Sequence, residues 1–183
     1  MDTTELRSAY RQLLTVAETI TDETPLRVDL RMMVDWLVAH VAITEHVLAG
    51  AARDVLTGVP AVIDNYEAMH TGVISSIVDL TSHDRRVADL RDNAADLVAS
   101  VATIPPHAET APVLLRFADR GGRSIPDQRL PWCELVHAHA GSVLPSHTRT
   151  LAFAFAQRCD GQLPARALPE QRTRAGVRRS TWR

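Results

Sequence analysis

The stretch VDWLVAHVAITEHVL (residues 34–48) decides the fold of this chain, because its apolar residues recur at the three- and four-residue spacing of an α-helix. The pattern extends from about Leu26 to Leu56, which predicts a long helix that must be buried against other elements. Its predicted inward stripe consists of Met33, Trp36, Leu37, His40, Ile43, Val47 and Leu48. The chain is therefore predicted to pack helix on helix.

Segments on both sides of this helix show the same spacing. They run from about Thr3 to Ile20, Ala61 to Leu80, Asp84 to Thr103 and Leu130 to Arg158, with a bend expected at Pro145. Thr81 and Asp84 are predicted to form a capping box at the start of the fourth helix. Four long helices and a shorter accessory helix at 61–80 predict an all-α helical bundle.

Two segments depart from the helical pattern. Residues 113–129 contain two short apolar pieces around Gly121 and Gly122, and both a small β-hairpin and a plain interhelical loop fit this composition. Residues 161–183 are rich in arginine and poor in apolar residues, which predicts a disordered tail after a bundle at 1–160.

Composition and charge narrow the function classes. The net charge of −2 gives no global field that would attract nucleic acid. We expect no apolar run long enough to span a bilayer and no secretory leader in the opening residues. Cys133 and Cys159 lie on one predicted helix, too far apart to pair with each other. These features predict a reduced, cytoplasmic protein without a membrane partner, and they leave a homodimer open.

Three histidines fall on predicted inward stripes: His40, His70 and His147. His139 lies eight residues before His147, a rise of roughly 12 Å along a helix, so those two are not expected to share an ion. A histidine at position 143 would share the face of His147, but this residue is Val143. From spacing alone, a metal site and a set of satisfied core histidines both remain open.

The sequence also resembles a known family. VDWLVAHVAITEHVL is similar to the second-helix signature of the DinB-like superfamily, in which a histidine follows a tryptophan by four positions. GSVLPSHTRTL (141–151) resembles its last-helix signature, and DNYEAMHTGVISSIVDL (64–80) resembles the middle of its layout. The most similar branch contains the mycothiol-dependent maleylpyruvate isomerase N-terminal domain. The resemblance covers about residues 5–158 and implies a four-helix bundle with up-down-down-up connectivity.

The resemblance implies a divalent metal, zinc or nickel, held by one residue of the second helix and two of the last. His40 and His147 match two of these positions, while Val143 stands where the family usually has His or Glu. His70 is the best candidate for a replacement ligand. Glu45 and His46 are expected to point away from the face of His40.

Two functions follow from this pattern. The first is a metal-dependent transferase or isomerase that uses a low-molecular-weight thiol such as mycothiol and a small-molecule substrate. The second is a metal-free, degenerate bundle that acts as a binding or interaction module, which Val143 favours because it continues the apolar stripe of the last helix.

Overall fold

The computed structural model describes residues 1–119 and 123–158. The helices of this part are α1 (Thr4–Thr19), α2 (Val28–Thr57), α3 (Tyr66–Met69), α4 (Thr71–Leu80), α5 (His83–Thr103), α6 (Trp132–Ala138) and α7 (Leu144–Gln157). The strands are β1 (Val62–Asp64), β2 (Pro112–Arg116) and β3 (Gln128–Pro131). The fold is thus mainly α-helical with a small sheet. The predicted tail at 161–183 and Cys159 lie outside the described residues.

Helix α2 is the centre of the structure, and it packs against α5, α4, α7 and α3. Helix α1 packs against α7 and α5. The most deeply buried face of α2 includes Val34, Val38, Val41, Glu45, Ala49 and Ala52. The predicted stripe through Trp36, His40 and Val47 is half-buried, so α2 buries a second face that its apolar spacing did not single out.

By length and composition α2 could span a membrane, since an 18-residue window has a mean hydropathy of 1.3. The expectation that no such segment exists is therefore wrong by this criterion. However, 56% of that window is buried within the protein, as in the core helix of a soluble protein. The packing of α2 is compatible with a soluble protein.

The segment 61–80 is not the single helix that its apolar spacing predicts. Residues Val62–Asp64 form β1, and the helical part is divided into α3 and α4 at His70, whose extended backbone (φ −75°, ψ 111°) ends one helix and precedes the next. The predicted capping box is also misplaced by one residue. The N-cap of α5 is Ser82, whose side chain accepts a hydrogen bond from the backbone N–H of Arg85.

Of the two alternatives for residues 113–129, the structure contains the strand pair of a hairpin, which belongs to a three-stranded sheet. β2 pairs antiparallel with β3, with Val113 opposite Leu130, and parallel with β1, with Ile63 opposite Leu115. Ile63, Val113 and Leu115 are buried on the side of the sheet that joins the hydrophobic core. The sheet therefore packs beside α2 and covers one side of the helical core.

The last helical segment is interrupted before Pro145, where a bend was expected. A π-helical turn, His139–Val143, separates α6 from α7. Proline lacks a backbone N–H and its ring displaces the carbonyl four residues earlier, so an inserted residue in the turn relieves a clash that an unbroken α-helix would contain. The turn shifts the helical register of every residue before it relative to those after it.

Candidate functional site

His40 and His147 lie side by side, as their predicted inward positions required. His40 projects from α2 and His147 from α7, and their ring centroids are 5.7 Å apart in an edge-to-face arrangement. Both side chains are half-buried. Whether they bind a metal stays a prediction.

The orientation of His40 is fixed from two sides. Trp36, one helical turn earlier, stacks on it with a centroid separation of 4.7 Å and an interplanar angle of 12°. Nδ1 of His40 lies 2.7 Å from the carbonyl oxygen of Ala68. A carbonyl only accepts hydrogen bonds, so Nδ1 carries the hydrogen and the lone pair of the neutral ring lies on Nε2.

His147 is a neutral imidazole at physiological pH. Burial, together with smaller contributions from the nearby His40 and His139, lowers its pKa to about 4. The pair of histidines therefore offers hydrogen-bonding nitrogens at neutral pH without a positive charge on His147.

His70 does not take the predicted inward position. It is exposed and caps the N-terminus of α4, where its Nδ1 accepts a hydrogen bond of 3.4 Å from the backbone N–H of Val73. The prediction was wrong because the helical spacing that placed His70 inward is broken at this residue. Within residues 1–119 and 123–158, no three His, Cys, Asp or Glu side chains form a group that could hold a metal ion.

A buried polar cluster lies beside the histidine pair, and sequence reasoning missed it. Glu45 of α2 is fully buried, and its Oε1 and Oε2 atoms are 3.0 and 3.2 Å from Nε2 of His139. The hydroxyl of Tyr10, from α1, donates a hydrogen bond to Oε2 of Glu45 and lies 3.4 Å from Nε2 of His139. Burial, followed by the negative charge of Glu45, raises the pKa of Tyr10 well above its usual value.

The sequence did carry a signal for this cluster. Glu45 is a carboxylate within an apolar helical run, and a buried carboxylate needs hydrogen-bonding partners. Glu45 does point away from the predicted stripe of α2, but that direction leads into the core rather than to solvent. His46, in contrast, is exposed.

His40, His139 and His147 line one cavity of about 400 Å³. The spacing indicated that His139 lies too far along the helix to join His147, and this was wrong, whereas His137 is exposed and lies outside the cavity lining. The remaining wall is mostly apolar and comes from α2, the sheet and the last helical segment. It includes Val47, Leu48, Ile63, Ala68, Met69, Leu115, Phe117, Leu130, Leu135 and Val143.

Val143 lies at the edge of this cavity rather than in a continuous buried stripe. Its side chain is 39% exposed, because the π-helical turn rotates it away from the packed face of the helix. It nevertheless lines the cavity together with His147. Position 143 thus faces the space between the last helix and α2.

A second groove of about 620 Å³ meets the cavity at the histidine pair. Both spaces share His40, Met69 and His147. The groove is lined on its other side by Met32, Met33 and Trp36. The two histidines therefore stand between the apolar cavity and this second groove.

No protein-family model matches this chain, and comparisons with curated proteins and with solved structures give no match either. The resemblance to the DinB-like superfamily accordingly stays a prediction.

Proposed function

We propose that this protein binds a small, uncharged, largely apolar molecule in the cavity between α2, the sheet and the last helical segment. The single observation that carries the proposal is the cavity itself, about 400 Å³ in volume, with an apolar wall and three histidines at defined positions. A concave apolar space with a few convergent polar groups is the usual form of a small-molecule site.

The charges around the cavity support an uncharged ligand. None of the described residues that line it is an arginine, and the chain has no lysine. Among the described residues that line it, Asp64 is the one carboxylate and the imidazoles are the other titratable groups, of which His147 is neutral at physiological pH. A carboxylate or phosphate would lose its hydration there without gaining a cationic partner.

Filling the cavity should abolish binding. Nile red, a neutral and apolar fluorophore, is expected to bind the wild type with one saturable site, and Val47→Trp is expected to weaken binding at least tenfold, because the indole occupies the cavity. Val59→Trp is the matched control, since Val59 is 53% exposed and lies outside the cavity. Equal affinity of both variants, measured by fluorescence titration, would reject the proposed site.

A metal-dependent, thiol-linked transferase or isomerase is the second candidate. It is favoured by the state of the two histidines: the carbonyl of Ala68 orients His40 with its lone pair on Nε2, a support that metal-binding histidines commonly have, and His147 is neutral. Zinc or nickel would be held by His40 and His147, one protein ligand short of a three-ligand catalytic site. The metal would supply a low-pKa thiol or water.

The finer fold assignment belongs to this second candidate. We infer that α1, α2, α5 and the last helical segment are the four helices of a DinB-like bundle with up-down-down-up connectivity. Residues 58–82, which include α4, connect the end of α2 to the start of α5. This connection is long enough to return the chain to the level where α2 begins, so that α2 and α5 can run in the same direction. The close packing of α2 on α5 supports this arrangement. The free thiol of Cys133 supports a cytoplasmic location.

Supplying a third imidazole tests the metal site. Val143→His is expected to raise the affinity for zinc or nickel by at least about tenfold, because position 143 lines the same cavity as His40 and His147. Isothermal titration of the chelator-treated protein measures the change, with Val62→His as a control on the surface of β1. The same affinity in wild type, Val143→His and Val62→His would contradict metal binding by His40 and His147.

A further inference from the structure

This proposal rests on the proposed ligand cavity. We propose that His139, at the cavity wall, and Glu45, buried behind it, form a general-base dyad, so that the protein catalyses proton abstraction from an uncharged, largely apolar carbon acid. The reaction class is a proton-transfer isomerisation. The dyad uses neither of the histidines assigned to the metal candidate.

The contacts of Glu45 determine which nitrogen of His139 is the base. The carboxylate accepts a hydrogen bond from the hydroxyl of Tyr10, which stays protonated because its pKa is raised. A carboxylate has only acceptor atoms, so Nε2 of His139, 3.0 Å from Oε1 of Glu45, carries the hydrogen and donates it. The lone pair of the neutral His139 ring is therefore on Nδ1.

The second nitrogen of His139 remains for a ligand. His139 is 7% exposed and lines the cavity. Among residues 1–119 and 123–158, Nε2 is the ring atom that bonds to Glu45 and Tyr10, and none of these residues hydrogen-bonds Nδ1. An imidazole with one nitrogen held by a buried carboxylate is oriented to accept a proton at the other.

Charged and titratable groups surround the dyad. Glu45 stabilises the imidazolium that forms when His139 takes a proton, and Tyr10 moderates this effect by sharing the carboxylate. The other titratable groups at the cavity are His40 of α2, Asp64 of β1 and His147 of the last helix. Glu45 and Tyr10 are thus positioning residues, and His139 is the catalytic residue.

The proposed step balances without a cofactor. Nδ1 of His139 takes a proton from a carbon next to a carbonyl group, the C–H electron pair forms a C=C bond, and the carbonyl π electrons move to oxygen. His139 then returns the proton to another carbon of the same conjugated system, which restores the carbonyl group. No oxidant, reductant or second substrate is required.

The test uses 5-nitrobenzisoxazole, a neutral aromatic probe of general-base activity. A base removes its C3 proton, the electron pair forms a C≡N bond, the N–O bond breaks, and the electrons leave as a coloured phenolate. We expect wild type to accelerate this reaction above buffer and His139→Leu to lower kcat/KM by about 100-fold, a typical contribution of general-base catalysis. His137→Leu, an exposed neighbour on α6, is expected to keep the wild-type rate.

The pH profile separates a positioning role from a structural one. Tyr10→Phe removes the competing hydrogen bond to Glu45, so the acid limb of kcat/KM is expected to move to higher pH. Glu45→Gln removes the negative charge, so that limb is expected to move to lower pH, together with a loss of rate. Tyr10→Phe is nearly isosteric and keeps the test valid where Glu45→Gln does not fold.

Each outcome has a distinct meaning. Saturable binding of Nile red without acceleration of 5-nitrobenzisoxazole would overturn the dyad and leave the cavity proposal intact. A His139→Leu variant with the wild-type rate, or an acid limb unmoved by Tyr10→Phe, would overturn it as well. Absence of Nile red binding would overturn the proposed function itself.

Discussion

Replacing Arg86 by methionine is expected to lower the free energy of unfolding by about 3 kcal/mol, because it leaves a buried carboxylate without its main partner. Arg86 is 3% exposed, and its Nη2 atom lies 2.6 Å from Oδ1 of Asp35. Its Nη1 atom also donates to the carbonyl oxygen of Val78, in the last turn of α4, and to that of Thr81, which follows α4. One side chain thus joins α2, α4 and α5.

The neighbouring arginine provides the control. The side chain of Arg85 is 67% exposed and pairs with Asp89 on the surface, so Arg85→Met is expected to change stability by less than about 0.5 kcal/mol. The double variant Asp35→Leu with Arg86→Met is expected to recover much of the loss, because neither member of the pair then remains as a buried charge without the other. Similar urea midpoints for Arg86→Met and Arg85→Met would contradict a stabilising role for the ion pair.

Acidification is expected to destabilise the protein through His147. Its pKa is about 4 in the folded protein and 6.5 when unperturbed, so the unfolded chain binds the proton more tightly. Stability from this residue is therefore fully present above about pH 6.5 and falls as the pH is lowered, by about 3 kcal/mol near pH 4. Urea unfolding in chelator at several pH values measures this slope.

The variant His147→Leu is expected to have a shallower loss of stability between pH 6.5 and pH 4, since it has no proton to take up at this position. His137→Leu, which changes an exposed histidine of α6, is expected to retain the wild-type slope. A slope that is the same in wild type and His147→Leu would show that His147 is not held neutral by the fold.

The long helices could be predicted from the sequence because their apolar spacing persists over many turns. The predicted bounds of α1, α2 and α5 differ from the observed ones by at most two residues at each end. β1 could not be predicted in the same way, because three residues, Val62–Asp64, are too few to show a strand period. Its pairing with β2 joins residues about 50 positions apart, which local spacing does not encode.

The histidine pair was predictable for the same reason as the helices, whereas the polar cluster was not. His40 and His147 lie on apolar stripes, and packing those stripes brings the rings together. His139 is the first residue of the π-helical turn that precedes the apolar stripe of His147. The extra residue in this turn changes the helix face on which His139 lies. Glu45 lies on the second buried face of α2. Because the sequence pattern predicted one inward stripe for this helix, Glu45 was expected to point away from the site.

The most direct test of the ligand cavity is a methyl NMR titration of the wild type with Nile red. Binding in the cavity is expected to shift the methyl groups of Val47, Leu135 and Val143, which line it, and not those of Leu13 or Leu90 in the core. Shifts at the methyl groups of Met32 and Met33, without shifts at Val47 and Leu135, would place the fluorophore in the second groove instead and contradict a ligand site in the cavity.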